Sequence, residues 1–334
     1  MAAARYRVIH DTHYPYSHPV SLSEQMLHLI PQPCAWQDVH RLDLAIAPEP
    51  SWQIEHADAF GNPTRWLAIY QPHDALHVRL DMDVSVLPRA IPTLADSLPW
   101  DALVDRLAYH GPQAPLPADL AAARFCFESP HVSIKNELLD YARDCFPPGR
   151  PLLEATQALM SQIHRDFIFD PEATTVATPV LEVLANRRGV CQDFAHLMIS
   201  CLRTLRLPAR YMSGYILTHP PPGQPRMIGA DASHAWVSVY DPDSPHGWVD
   251  FDPTNDLLPN TAHVTLAWGR DFSDVSPLRG IILGGGGHDP KVAVTMLPLD
   301  EHGDPLETLV DPHDGDAVDT MPPGESGDDS ADTA

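Results

Sequence analysis

The pattern of residues 188–205 is that of one amphipathic helix: Arg188-Gly-Val-Cys-Gln-Asp-Phe-Ala-His-Leu-Met-Ile-Ser-Cys-Leu-Arg-Thr-Leu205. Its apolar side chains recur every three or four positions, which is the spacing of one helix face. These side chains are Phe194, Leu197, Met198, Cys201, Leu202 and Leu205. Cys191 extends this apolar stripe back to the first turn, and Gly189 suits a sharp entry into the helix.

The thiol of Cys191 has the environment that a nucleophile needs. In the first helical turn it faces unpaired backbone N–H groups and the positive end of the helix dipole, and both favour thiolate over thiol. The same amides can stabilise an oxyanion. We interpret the other four cysteines as structural, since Cys34, Cys126 and Cys145 have no helix-entry context and Cys201 lies in mid-stripe. Five scattered cysteines without a CxxC pair disfavour a disulfide framework or a zinc knuckle.

A thiolate mechanism also needs a base, and a predicted hairpin supplies one. Residues 231–240 alternate as a strand with His234 on one face, and residues 247–255 form the returning strand. If Asp241 pairs with His246, antiparallel register places His234 opposite residue 253, beside Asp252. We therefore predict that Asp252 orients the imidazole, with Asp250, two residues earlier on the same face, as the competitor.

Several polar neighbours have simpler explanations. Asp193 favours the helix dipole from the first turn, and His196 lies about 140° around the helix from Cys191, away from a direct role. Gln192 could contribute its backbone N–H to an oxyanion site. His219, Asp231, His234 and His246 could be imagined as metal ligands, but their spacing fits no zinc signature. We expect no metal and no cofactor.

The rest of the chain divides by composition and periodicity. Residues 1–95 alternate as β-strands, with Val78 to Val86 the clearest period-2 run, and residues 96–150 are a Pro-punctuated helical connector. Residues 151–260 form an α+β catalytic core that begins with a helix over 152–168. Residues 261–299 are a C-terminal extension with a final strand, preceded by Gly284–Gly287, which we interpret as a turn. Residues 300–334 are predicted to be a disordered acidic tail.

Charge and hydropathy disfavour two classes of partner. The net charge is −24, and without the eleven acidic residues of 301–334 the remaining 34 acidic against 21 basic residues still leave −13. A nucleic-acid partner is therefore disfavoured. No apolar run is long enough to span a membrane. The N-terminus lacks the apolar segment of a signal peptide, so we expect a cytoplasmic protein. The oligomeric state is not predicted.

Three motifs in this order resemble the core of the bacterial transglutaminase-like superfamily: Gly189-Val-Cys-Gln-Asp-Phe-Ala-His-Leu197, Ala232-Ser-His-Ala-Trp-Val237 and Asp252-Pro-Thr-Asn255. Residues 5–86 resemble the β-rich N-terminal region of many bacterial members, and residues 267–279 resemble the segment after the core. The resemblance implies an α+β fold, in which a β-sandwich-like N-terminal domain precedes a papain-like, transglutaminase-like core. It also implies Cys191 as nucleophile, His234 as base and Asp252 as orienting acid.

The resemblance implies a transglutaminase-like cysteine protease or amidase, a hydrolase of amide or peptide bonds that passes through a thioester acyl-enzyme. Its expected substrate is a peptide or protein with an amide or a glutamine side chain. A transglutaminase, in which an amine resolves the thioester, is the first alternative. A catalytically idle protein-binding module on the same fold is the second. The Pro-rich segment from Thr218 to Met227 is a candidate rim of the cleft.

Overall fold

The computed structural model describes residues 2–108, 115–218, 226, 227, 229, 233–287, 289–307, 309 and 310. Its N-terminal part is rich in antiparallel strands. They are β1 (Ala4–Leu27), β2 (Gln37–Ala47), β3 (Trp52–Ala57), β4 (Pro63–Ile69) and β5 (His73–Val86). The predicted alternation of Val78 to Val86 is confirmed, because every second side chain of β5 from Leu76 to Val86 is buried.

Short helices follow this region, as the Pro-punctuated pattern predicts. The helices are α1 (Trp100–Leu107), α2 (Pro117–Ala123), α3 (Asn136–Ala142) and α4 (Leu152–Asp166). The last of them is the helix that the spacing of apolar residues predicts over 152–168. Its apolar face is buried at Leu152, Leu153, Leu159 and Ile163.

The core combines one long helix with a four-stranded antiparallel sheet. Its elements are β6 (Ile168–Phe169), α5 (Val180–Asn186), β7 (Arg188–Gly189), α6 (Cys191–Thr204), β8 (Ala209–Ile216), β9 (Arg226–Met227), β10 (Ser233–Tyr240), β11 (Trp248–Phe251), β12 (His263–Gly269) and α7 (Phe272–Val275). The strand order is β11-β10-β8-β12, and α6 packs against β8 and β10. The sheet therefore includes a strand beyond residue 260.

The chain then returns to the N-terminal sheet with β13 (Leu278–Gly284), β14 (Lys291–Leu299) and the short β15 (Leu309–Val310). The first half of β1 pairs with β5 and β14, and its second half pairs with β4 and β13. These pairings create one curled seven-stranded sheet, in which residues 4–27 lie beside residues 278–299. The predicted α+β class, with a strand-rich N-terminal region before a transglutaminase-like core, is confirmed.

Two further predictions concern the C-terminal part of the chain. Gly284, Gly285 and Gly286 have φ of 96°, 83° and 63° and leave β13 in a turn, as the glycine run predicts. In the acidic segment, Leu306 N donates to Pro298 O at 3.0 Å, and β15 pairs with β9. Residues 311–334, the bulk of the predicted tail, lie outside the described residues. Among the helices that the structure describes, none is long and apolar enough to cross a membrane.

Candidate active site

Cys191 is the first residue of α6, and its thiol is partly exposed. Asp193 holds this end of the helix, since its Oδ2 accepts from Val190 N at 2.8 Å and from Thr174 Oγ1 at 2.6 Å. A Cβ on Gly189 would lie 2.6 Å from that same Oδ2. Gly189 therefore lets the capping carboxylate approach the backbone, which adds a second reason to the predicted sharp entry. The structural explanation of Asp193 agrees with these contacts.

The hairpin of β10 and β11 brings His234 and Asp252 together by a register that differs from the predicted one. Ser238 lies opposite Asp250, so the pairing of Asp241 with His246 is wrong by one residue. The reason is the turn, in which Asp241 N donates to Gly247 O at 3.1 Å and Gly247 adopts a φ of 69°. His234 Nε2 nevertheless lies 2.8 Å from Asp252 Oδ2.

Asp252 is fully buried and accepts hydrogen bonds on both carboxylate oxygens. Oδ1 accepts from the backbone N–H groups of Thr254 and Asn255 at 3.0 and 3.3 Å. Oδ2 accepts from Asn255 Nδ2 at 2.7 Å, in addition to His234. Burial alone would favour the neutral acid, but the imidazole hydrogen bonds and charges outweigh it and hold the pKa of Asp252 well below its usual range. The Asp252-Pro-Thr-Asn255 motif thus positions its own carboxylate.

The electrostatics of His234 connect it to both proposed partners. Burial would lower the pKa of His234, but hydrogen bonds to Asp252 and to the Cys191 side chain overcome this and raise it to about 10. With Nε2 on Asp252, the ring has Nδ1 left for the sulfur. The indole of Trp236 stacks on the imidazole at 6.1 Å between ring centroids. The ring is therefore held as a cation at neutral pH, with Asp252 and Cys191 as its hydrogen-bond partners.

A further residue of this site, His263, escaped the sequence analysis. It is the first residue of β12, on the far side of β8 from the hairpin, and its Nε2 lies 3.1 Å from Asp252 Oδ2. Its side chain is buried, and its Nδ1 is buried without a hydrogen-bond partner. Gly214 of β8 leaves the room that His263 needs to approach Asp252, because a Cβ at position 214 would lie 1.9 Å from Val264 O and 2.8 Å from the Trp236 ring.

Asp250, the competitor for the orienting role, has different partners. Its Oδ2 accepts from Trp236 Nε1 at 2.8 Å and forms an ion pair with Arg89. These contacts make Asp250 an anchor for the ring that stacks on His234. Among the described residues, Asp250 makes no hydrogen bond to His234.

The remaining predicted residues lie apart from this cluster. His196 Nε2 accepts from Phe272 N at 3.2 Å and the ring stacks on His131. Cys145 and Cys201 are buried, and Cys34 and Cys126 are half-buried. His246 contacts the Trp36 ring at 5.8 Å between ring centroids. His219 and Asp231, like most of the candidate rim between Thr218 and Met227, lie outside the described residues.

The described residues contain one group of side chains that could hold a metal ion, and it shares only His234 with the set named from the sequence. The ligand atoms of His234, Asp252 and His263 lie within 4.8 Å of one another. Imidazole nitrogens and a carboxylate oxygen suit zinc. In this structure, however, both Nε2 atoms lie at hydrogen-bond distance from one carboxylate oxygen. That arrangement is satisfied by protons alone.

Comparison with known proteins agrees with this description. The family model for the bacterial transglutaminase-like N-terminal region matches residues 6–85, and that for the transglutaminase-like superfamily matches residues 140–253. The uncharacterized protein Rv2569c of Mycobacterium tuberculosis is 41% identical over 283 residues, which cover 83% of this chain and 87% of the relative. The uncharacterized protein ML0607 of Mycobacterium leprae is 30% identical, and the aligned residues cover 88% of this chain and 99% of the relative.

A solved structure shows the same fold. The crystal structure of a "putative cysteine protease" from Cytophaga hutchinsonii superposes with a TM-score of 0.69 at 21% identity, over 91% of this chain and 94% of that one. The α+β core on which His234 contacts Asp252 is thus shared with that crystal structure. The chain belongs to the transglutaminase-like superfamily and carries the bacterial transglutaminase-like N-terminal region.

Proposed function

We propose that the protein is a cysteine-dependent hydrolase of amide or peptide bonds, with Cys191 as nucleophile, His234 as acid–base and Asp252 as orienting acid. The observation that carries the proposal is the 2.8 Å contact between His234 Nε2 and Asp252 Oδ2, on a ring whose pKa the Cys191 side chain also raises. A buried imidazolium between a carboxylate and a thiol is the arrangement that activates a thiolate. A peptide or a protein with an amide side chain is the proposed substrate.

The reaction follows from this arrangement. The Cys191 thiolate attacks the carbonyl carbon, and the carbonyl oxygen takes up the negative charge. The amides of the first turn of α6 are the proposed oxyanion donors, since the first helical hydrogen bond is Phe194 N to Val190 O at 3.1 Å. The C–N bond then breaks, His234 gives its proton to the departing amine, and a thioester remains on Cys191.

Water then resolves the thioester in the proposed reaction. His234 accepts a proton from the water, and the acid product leaves Cys191 as thiolate. Asp252 stays ionised throughout and keeps Nε2–H directed at itself, which leaves Nδ1 for the proton that moves. His263 and Asn255 hold the carboxylate in this orientation, because both lie within 3.1 Å of the oxygen that contacts His234.

The experiment is mass spectrometry of peptides and glutamine-containing proteins incubated with the enzyme, with and without a primary amine. Hydrolysis predicts cleaved or deamidated products whose yield is independent of the amine. Products that carry the amine would identify a transglutaminase instead. Loss of all products in Cys191→Ala, with an unchanged melting temperature, would assign them to this site.

Two controls test the alternatives, which are a metal-dependent enzyme and a protein-binding module. Full activity in a chelator excludes a required metal at His234, Asp252 and His263. If no peptide or protein is modified and Cys191 shows no enhanced reactivity towards a thiol probe, the triad proposal is wrong. A protein-binding module on the same fold would then be favoured.

A further inference from the structure

Arg210 lies in the core sheet between two tryptophan rings. It occupies β8 opposite Ser238 of β10, and its side chain is only 6% exposed. The guanidinium carbon is 4.3 Å from the centroid of the Trp248 ring and 4.2 Å from that of Trp268. With both indoles against the guanidinium carbon, polar contacts are left to its N–H groups.

Arg210 forms no ion pair with any described residue. Its Nε is buried without a hydrogen bond, and no described carboxylate oxygen lies within 4.0 Å of its nitrogens. Asp250 is the nearby acid, but Arg89 and Trp236 occupy its Oδ2. Two buried guanidinium groups therefore share one buried carboxylate. Burial lowers the pKa of Arg210 to about 10, which keeps it charged at neutral pH. Buried charges are ordinarily paired.

Arg210 lines a cavity of about 260 Å³ whose lining also includes Arg124 and His246. Arg124 lies at its rim, where the guanidinium stacks on Phe60 at 4.4 Å and donates to Ala59 O at 3.0 Å. His246 is exposed and lies in the turn between β10 and β11. The lining contains no Asp and no Glu, although the chain has 45 acidic residues against 21 Lys and Arg. The hydroxyl of Tyr240, also in the lining, is already bound to Asp119 Oδ1 at 2.7 Å.

We propose that this cavity is an oxyanion-binding site, in which a carboxylate or phosphate group pairs with Arg210 and Arg124 while Trp248 and Trp268 flank it. A planar guanidinium with free N–H groups binds both kinds of oxyanion. The site is separate from the cysteine cluster. Arg210 lies four residues along β8 from Gly214, which pairs with His234, and this separation is about 13 Å at 3.3 Å per residue.

The test titrates the whole protein with inorganic phosphate and, separately, with succinate, at constant ionic strength set by sodium chloride. Trp248 and Trp268 supply the signal through tryptophan fluorescence, and the melting temperature supplies a second readout. A saturable response to either probe, with a melting temperature that rises with its concentration, is expected. A response to phosphate alone identifies a tetrahedral ligand group, and a response to succinate alone identifies a carboxylate. A linear, unsaturable response to both probes would overturn the proposal.

Variants decide whether Arg210 is the ligand. Arg210→Gln should abolish saturation, and Arg124→Ala, at an exposed position, should weaken binding at least about threefold. Arg143→Ala is the matched control, since Arg143 is an exposed arginine paired with Asp140 elsewhere on the surface. If Arg210→Gln does not fold, Arg124→Ala and His246→Ala carry the test. Unchanged affinity in every folded variant of the three would overturn the proposal.

Discussion

His263 Nε2 lies 3.1 Å from Asp252 Oδ2, the oxygen atom that His234 Nε2 contacts at 2.8 Å. Two imidazoles thus share one carboxylate oxygen, and their roles differ by environment. Burial, which outweighs the attraction of Asp252, lowers the pKa of His263, whereas the pKa of His234 is raised to about 10. His263 is therefore a neutral hydrogen-bond donor that orients the carboxylate, and His234 is the cation that the carboxylate stabilises.

His263→Phe tests this positioning role. Loss of one hydrogen bond to a charged group removes about 1.5–3 kcal/mol, so we expect kcat to fall about tenfold or more with little change in KM. His263→Gln is the matched variant, because its side-chain amide can still donate to Asp252. It should recover part of kcat and of the rate of Cys191 alkylation. Equal losses in both variants would mean that His263 acts through packing alone.

Substitution of Asp250, in β11, and of Asp252, in the turn that follows, should have different effects. Asp252→Asn should lower kcat at least about 100-fold with the fold retained, because an amide cannot favour the required tautomer or the imidazolium. Asp250→Asn leaves Arg89 buried without its acid and should reduce the free energy of unfolding by about 3–5 kcal/mol. Steady-state kinetics and thermal melting of both variants check this. A larger kcat loss in Asp250→Asn would contradict the assigned roles.

The pH dependence follows from the direction of the His234 shift. The protonated ring is the form that gives a proton to the leaving amine, so kcat/KM should decline as pH rises through about 10. The raised pKa also means that this site stabilises the fold fully below pH 6.5 and loses that contribution through pH 10. In Asp252→Asn the main attraction on the cation is gone, and the alkaline limb should move to lower pH. If the alkaline limb of the kcat/KM profile did not move, a group other than His234 would control it.

Thiol reactivity should single out Cys191. Burial raises the pKa of Cys34 to about 12 and that of Cys126 to about 11, and it also raises the pKa of Cys145 and Cys201. All four are therefore thiols at neutral pH and react slowly. Limiting iodoacetamide followed by peptide mass mapping should label Cys191 first, and His234→Ala should abolish that preference. Preferential labelling of any other cysteine would remove the basis for the proposed nucleophile.

The sequence was informative where the determining contacts are local. The 3–4 spacing after Cys191 predicts a helix with the thiol at its first turn. The hairpin allows only a few registers, so the neighbourhood of His234 and Asp252 was predictable even though the turn shifted the pairing by one residue. The short Asp252–Asn255 motif also carries its own hydrogen bonds.

His263 and Arg210 were not predictable because their contacts cross the sheet. His263 reaches Asp252 only because β12 adds to the far edge of β8, an order that periodicity does not encode. The unpaired charge of Arg210 depends on tryptophans from β11 and β12 on either side of it. In the same way, no local pattern indicates that β13 and β14 return to pair with β1. Non-local strand order is fixed by packing of the whole chain.

The last prediction concerns the entry into α6, where Gly189 and Asp193 share a small space. In Gly189→Ala the new Cβ would lie 2.6 Å from Asp193 Oδ2 and 2.9 Å from Asp193 Cβ. The carboxylate must then release Val190 N or Thr174 Oγ1, which should cost about 1–3 kcal/mol of stability. Cys191 should also become less reactive, because its thiol lies in the helical turn that Asp193 caps. Gly287→Ala is the control, since a Cβ there meets no atom closer than 4.0 Å.

A double variant separates this clash from a general preference for glycine at the position. Asp193→Ala alone removes the cap and should also destabilise the protein. If the clash is the cause, Gly189→Ala adds little further loss once Asp193 is alanine, so the double variant is more stable than the sum of the single effects predicts. Thermal melting of the four proteins, with the alkylation rate of Cys191 as a second readout, measures this coupling. Additive losses would place the requirement for Gly189 in its backbone conformation instead.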